Sequence, residues 1–319
     1  MKKVEIYITL FAALTLNGCA SMAPKYVQPA LPVPATVNGT ETSQSVAPES
    51  DAKPINLISD VAWREYFGDE KLQKVISLAI ENNRDLKVAI LNIERFKALY
   101  QIRDSDLLPK LDATAAAGFQ RVPETLSASG KSMTTEQYSI GLGMSSYELD
   151  LFGRVSSLKD QALEEFLASE YARRATQITI VSQVAHAYLS LAADSERLKL
   201  SKETLANQGK SYTLTKSLFD AGMSDALALN QAESTVNAAR VNIARFATLV
   251  GQDKNALNLL AGSQLPTELL PEGFSESLDS LDIVMPGQGS EIHLNRPDIL
   301  ESESRLKALN ANIGAARAA

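Results

Sequence analysis

From Glu124 to Leu265 the chain contains no proline, and so long a stretch without the main helix breaker leaves room for helices of unusual length. Within it Val184, Leu191, Leu198, Leu205, Tyr212 and Phe219 recur every seven residues. That spacing keeps one apolar seam facing a partner over about 50 Å, at a rise of about 1.5 Å per residue. Gly222 interrupts the pattern, and Val236, Ala239, Ile243, Phe246, Val250, Leu257 and Leu260 resume a mainly three-and-four spacing. The spacing predicts two long antiparallel helices joined by a tight turn at Ala221, Gly222, Met223 and Ser224, with Ser224 as N-cap of the second helix. A water-soluble coiled coil would show the same periodicity.

Ahead of these helices the period changes to two. Leu111, Ala113, Ala115, Ala117 and Phe119 alternate with Asp112, Thr114, Ala116, Gly118 and Gln120. A second run alternates Tyr138, Ile140, Leu142 and Met144 with Gln137, Ser139, Gly141, Gly143 and Ser145, after a polar loop expected over Pro123 to Glu136. Each run reaches the roughly 9 to 11 residues that a tilted strand needs to cross a bilayer. Apolar-out, polar-in alternation is the pattern of a transmembrane barrel, although an edge hairpin on a soluble domain also alternates. In lipid, unpaired edge groups are too costly, so the sheet must close. Two strands cannot close a barrel, and the rest must come from other subunits, from sequence beyond residue 319, or from both.

The N-terminus predicts membrane attachment of another kind. Lys2 and Lys3 precede a mostly apolar run from Ile6 to Leu16, too short to span a bilayer as a helix and suited to a signal peptide. Leu16-Asn17-Gly18-Cys19 then reads as a lipoprotein cleavage box, with the thiol of Cys19 carrying the lipid. Two or more acyl chains such as palmitate anchor a protein firmly without a transmembrane helix. In its resemblance to bacterial lipoproteins, Ala20 rather than an acidic residue after the cysteine implies sorting to the outer membrane.

Segment boundaries follow from prolines and periodicity: a signal peptide over 1–18, a lipidated extended linker over 19–56, N-terminal helices over 57–109, a transmembrane β-hairpin over 110–149, a long helical hairpin over 150–265, and a connector with the start of a second repeat over 266–319. The repeat appears on sliding the chain by about 213 positions, which lays Asn82-Asn83-Arg84-Asp85-Leu86 on Asn295-Arg296-Pro297-Asp298-Ile299.

Composition excludes several functions. A formal net charge of −7 disfavours nucleic-acid binding. One cysteine allows neither an internal disulfide nor a multi-cysteine metal site, and His186 and His293 lack ligand spacing to acidic or thiol partners. No phosphate-binding glycine loop or Ser/His/Asp arrangement is recognisable, so neither an enzyme nor a cofactor beyond the lipid on Cys19 is expected. Trp63 reads as a packing anchor, and Glu148 and Asp150 as carboxylates placed at the positive end of a helix.

The chain resembles the outer-membrane factor family, the TolC-like, NodT-type lipoprotein channels of tripartite RND efflux systems. The residues that carry the likeness are the Cys19 box, Pro24-Lys-Tyr-Val-Gln-Pro29, Trp63-Arg-Glu-Tyr-Phe67, Asn82 to Leu86, Tyr147-Glu-Leu-Asp-Leu-Phe-Gly-Arg154, Gln252 to Leu257, and Arg296 to Leu300. The resemblance implies a mainly α fold with a transmembrane hairpin, an α-barrel continuous with a β-barrel, and a homotrimer. It further implies a periplasmic adaptor met by the Ala221, Gly222, Met223, Ser224 tip, an inner-membrane RND-type pump, and small-molecule drugs as cargo. A family member has a second hairpin pair, so the expectation is a C-terminally truncated copy whose 319-residue form does not conduct. A lipid-anchored periplasmic adaptor or scaffold is the alternative.

Overall fold

The structure is a computed structural model that describes residues 21–30, 63–128, 130–271, 273 and 290–319. The signal segment, the Cys19 box and most of the linker lie outside the described residues. Helices dominate: α1 (Trp63–Tyr66), α2 (Glu70–Asn82), α3 (Arg84–Ser105), α4 (Arg154–Asp220), α5 (Ala226–Ala261) and α6 (Pro297–Arg317). Between α3 and α4 lie the strands β1 (Lys110–Val122) and β2 (Met133–Ser146). The chain divides into two compact units, one of residues 30–92 and 170–301 and the other of 1–29, 93–169 and 302–319.

The core of the first unit is built where α2 meets parts of α4 and α5. In α2, Leu72, Val75, Ile76 and Ala79 fall on one face and are buried. Asp69 starts that helix, its carboxylate accepting from the backbone N–H groups of Lys71 and Leu72 at 2.8 and 3.2 Å. Opposite them in the same cluster are Val184, Tyr188 and Leu191 from α4 and Leu257 and Ala261 from α5, with Trp63 packed half-buried at the margin as an anchor.

One asparagine ties this core together. The Asn83 Oδ1 caps α3 by accepting from Asp85 and Leu86 N–H at 2.9 and 3.1 Å, while its Nδ2 donates to the Leu260 carbonyl at 2.8 Å. The start of one helix and the end of another are thus fixed by a single buried side chain. Gly262 terminates α5 in the left-handed region at φ 70° and lies against the Asn82 carbonyl.

The seven-residue seam of α4 is a graded one. Val184 and Leu191 are fully buried, Leu198, Leu205 and Tyr212 are half-buried, and Phe219 is exposed. On α5 each of the seven periodic residues is buried or half-buried, from Val236 and Ala239 to Leu257 and Leu260. On α4 the seam therefore packs tightly at its root and opens toward the turn, whereas on α5 it is buried again at Val236 and Ala239.

The turn falls where the spacing placed it, but its second cap does not. Gly222, at φ 73°, lets its N–H reach the Phe219 carbonyl and the Met223 N–H reach the Leu218 carbonyl, which is a Schellman closure of α4. The N-cap of α5 is Asp225 rather than Ser224. Its extended backbone and its carboxylate, accepting from Ala228 N–H at 2.8 Å, fit one residue later than the sequence pattern indicated. A carboxylate also gains from the positive helix end, which a hydroxyl does not.

In the second unit, β1 and β2 form an antiparallel two-stranded sheet. β2 begins at Met133, earlier than the polar loop expected through Glu136, because Thr134, Thr135 and Glu136 extend the ladder opposite Arg121, Gln120 and Phe119. Polar residues pair as well as apolar ones, and an apolarity pattern does not register them. The expected repeat also acquires a structural counterpart: the offset of about 213 positions that aligns the two sequence blocks carries the first residue of α3, Arg84, onto the first residue of α6, Pro297.

Candidate functional site

The β-hairpin sorts its side chains onto two chemically distinct faces. Leu111 pairs with Met144, Ala113 with Leu142, Ala115 with Ile140 and Ala117 with Tyr138, so the apolar rows of the two strands share one face. The opposite face carries Asp112 against Gly143, Thr114 against Gly141, Ala116 against Ser139, and Gly118 against Gln137. Had the register slipped by one residue, each apolar row would have faced a polar one. On the apolar face Leu111, Ile140 and Leu142 are 81%, 90% and 88% exposed. Exposure of that size on a contiguous row marks a surface meant for lipid or protein rather than water.

Both ends of the row are marked. Phe119 and Tyr138 meet edge to face with centroids 5.9 Å apart near the connecting loop. At the other end, exposed Tyr147, Leu149, Leu151 and Phe152 follow β2 and alternate with Glu148 and Asp150. Aromatic side chains among charges suit the boundary between membrane and water. Around this boundary Glu148 receives two hydrogen bonds from Arg154, Lys110 pairs with Asp106 at 3.4 Å, and Lys159 pairs with Asp104 at 2.9 Å.

Asp150 starts the long helix. Its carboxylate accepts from Val155 N–H at 3.1 Å, Ser156 N–H at 2.8 Å and the Ser156 hydroxyl at 2.7 Å. Burial pushes its pKa up, but the hydrogen bonds from Ser156 and from the first backbone N–H groups of α4 outweigh it and hold the carboxyl below its usual range. Because the folded form binds its proton more weakly than the unfolded chain, the stabilisation is present above about pH 4 and is lost as pH falls through the folded value. Asp150→Ala is expected to cost about 1 kcal/mol of helix stability near neutral pH and to flatten the acid limb, read by helical circular dichroism as a function of pH. An unchanged acid limb would remove Asp150 from that role.

At the far end of the helical hairpin, Ala221, Gly222, Met223 and Ser224 form the connecting turn, and Met223 is 71% exposed. Leu214, Leu218, Phe219 and Leu227 add exposed apolar surface on the adjoining turns of α4 and α5. Sequence reasoning missed Asp253, whose buried Oδ2 has no hydrogen-bond partner and whose pKa is pushed up by burial and by the charge of Asp194. It also missed the double role of Asn83, although an asparagine immediately before a helix is itself a capping signal.

Among the described residues no helix is long and apolar enough to cross a membrane. The family model for outer membrane efflux proteins matches residues 75–263, from within α2 to just past the end of α5. The chain belongs to the outer membrane efflux protein family.

Individual relatives agree. Over 312 residues the chain is 44% identical to the toluene efflux pump outer membrane protein TtgC of Pseudomonas putida, covering 96% of this chain and 62% of that one. Outer membrane protein OprJ of Pseudomonas aeruginosa is 40% identical over 310 residues, covering 97% and 63%. The solved open state of the Neisseria gonorrhoeae MtrE outer membrane channel shares the fold at a TM-score of 0.73 and 34% identity, covering 94% of this chain and 64% of that one. The chain thus spans less than two thirds of the length of these relatives. Proteins of this family are conduits rather than enzymes.

Proposed function

We propose that this chain supplies part of the wall of a passive exit duct in the outer membrane, extending into the periplasm, for drugs and similar small molecules. The observation that carries this function is the in-register apolar row of the β-hairpin, exposed on one face and backed by small and polar residues on the other. Membership of the family supports it, as do relatives named for toluene and antibiotic efflux. The lipid sits on Cys19, copies of the chain assemble as trimers, and an inner-membrane RND-type pump supplies the energy. The apolar turn at Ala221, Gly222, Met223 and Ser224 meets the periplasmic adaptor.

β1 and β2 give six strands in a trimer, fewer than the about eight of the smallest bacterial barrels, so further strands complete the wall. Accordingly, in a strain lacking its outer-membrane channel the 319 residues alone are expected not to restore drug tolerance. A fusion continuing them with the part of TtgC outside the match should restore it, and a fusion that inserts but exports nothing would refute the duct. Protease digestion of outer membranes separates this function from that of a lipid-anchored periplasmic scaffold. Protection of Tyr138 to Met144 is expected of a duct, and cleavage there of a scaffold. At the tip, Met223→Asp in the same fusion should leave insertion unchanged and reduce recovery of the cross-linked adaptor about tenfold, since a charge replaces an exposed apolar contact. Unchanged recovery would move the adaptor contact elsewhere.

A further inference from the structure

Residues 21–28 run along one face of α6. Gln28 Nε2 donates to Glu303 at 3.5 Å, the Lys307 ammonium lies 5.4 Å from the Tyr26 ring centroid, and Asn310 Nδ2 donates to the Pro24 carbonyl at 2.6 Å. Ala23 then lies against Gly314, and Arg317 donates to the Met22 carbonyl at 3.4 Å. On α6 these partners are spaced by four, three, four and three residues, which is one stripe of a helix. The segment and the helix are antiparallel and match in length. An extended chain from Gln28 to Met22 spans about 20 Å, and the helix from Glu303 to Arg317 rises about 21 Å.

The stripe is shaped for its occupant. A Cβ on Gly314 would lie 2.7 Å from the Ala23 Cβ, so only glycine lets the segment lie down there. Beyond the stripe, Ser21 reaches the first turn of α4, its hydroxyl 3.4 Å from that of buried Ser157 and its Cα 3.0 Å from where a Cβ on Gly153 would stand. On α3, the repeat counterpart of α6, the corresponding positions are Ile90, Glu94, Lys97, Gln101 and Asp104. A glutamine replaces the glycine and Asp104 is occupied by Lys159, so the sequence builds this cradle on α6 and not on α3.

We propose that residues Ser21–Gln28 are a docking strap that joins α6 to the start of α4 and thereby holds the membrane anchor beside the strand ends of its own subunit. The second half of that statement rests on the assignment of Cys19 as the lipidated residue. Cys19 precedes Ser21 by two residues, a reach of at most about 7 Å, and Gly153 follows the end of β2 by seven residues. A lipid on a free linker would sample a wide volume, whereas a lipid on a docked strap enters the bilayer at one place.

Trypsin tests the strap at the exposed Lys25. In chain isolated from membranes, cleavage after Lys25 is expected to be slow, and Gly314→Leu should speed it about tenfold or more by raising the population of the undocked segment. Asn310→Ala and Tyr26→Ala, which leave the helix backbone intact, should speed it to a lesser degree. Cleavage at Lys202 in α4 serves as the control for general unfolding. If Gly314→Leu also accelerates the control, the two milder variants decide. Unchanged cleavage after Lys25 in all three overturns the strap. Incorporation of labelled palmitate at Cys19, and its loss in Cys19→Ser, tests the anchor separately. An unlabelled chain with a protected Lys25 would overturn the anchor and leave the docking established. With the label present, energy transfer between a fluorophore at position 21 and one at position 147, just past the end of β2, should fall in Gly314→Leu, and equal transfer would overturn the positioning of the anchor.

Discussion

Gly262→Ala is expected to destabilise the root of the helical hairpin by about 3 kcal/mol. Two costs add: about 1 to 2 kcal/mol for an L side chain in the left-handed region, and about 1 to 3 kcal/mol for the crowding that a new methyl imposes. The crowding is specific, because the added Cβ would stand 2.5 Å from the carbonyl oxygen and 2.8 Å from the carbonyl carbon of Asn82, which are backbone atoms at the α2–α3 junction. Relief would require moving Asn83, and with it the bond from Asn83 to the Leu260 carbonyl. Gly222→Ala is the internal comparison. That glycine has nearly the same φ, 73° against 70°, and nothing within 4 Å of an added Cβ, so only the backbone cost applies. Denaturant midpoints followed by helical circular dichroism should therefore fall about twice as far for Gly262→Ala as for Gly222→Ala. Equal falls would mean that the approach to Asn82 does not matter.

Ile140→Lys should cost about 2 to 4 kcal/mol of membrane insertion, the penalty for a cation on the lipid face near the middle of a bilayer. Ile140 is 90% exposed, lies between Tyr138 and Leu142 in the apolar row, and pairs with Ala115, a residue too small to shield it. Ser139, its neighbour, points to the opposite face and pairs with Ala116. In the fusion with TtgC that completes the wall, Ser139→Lys is therefore expected to insert nearly as well as the unsubstituted protein, and Ile140→Lys far less. The measurement is the fraction of each variant protected from protease in outer membranes. Equal protection would show that the two faces of the hairpin do not meet different surroundings.

Much of this architecture was legible because two periods are physical consequences of backbone geometry. The seven-residue recurrence from Val184 to Phe219 named the side chains that line the α4 seam, and the alternation from Leu111 to Phe119 identified the face that pairs with Met144, Leu142, Ile140 and Tyr138. What escaped notice depends on contacts distant in sequence. Nothing local to Asn83 indicates that its amide will meet Leu260, and nothing local to Gly314 indicates that Ala23 will lie on it. The cap of α5 was misplaced by one residue because Ser224 and Asp225 are both competent caps, and backbone conformation decides between them. Trp63 was recognisable as an anchor because a large aromatic residue in an amphipathic stretch has few other uses.

The graded seam of α4 has a mechanical consequence. Burial falls from complete at Val184 and Leu191 to partial at Leu205 and Tyr212 and then to exposure at Phe219. Displacing a helix costs the packing that it gives up, so the last turns of α4, beyond Tyr212, move most cheaply, while Val236 and Ala239 of α5 stay buried. A displacement at Met223 would thus be taken up first in the turns around Phe219, before it reached the joint at Asn83 and Gly262.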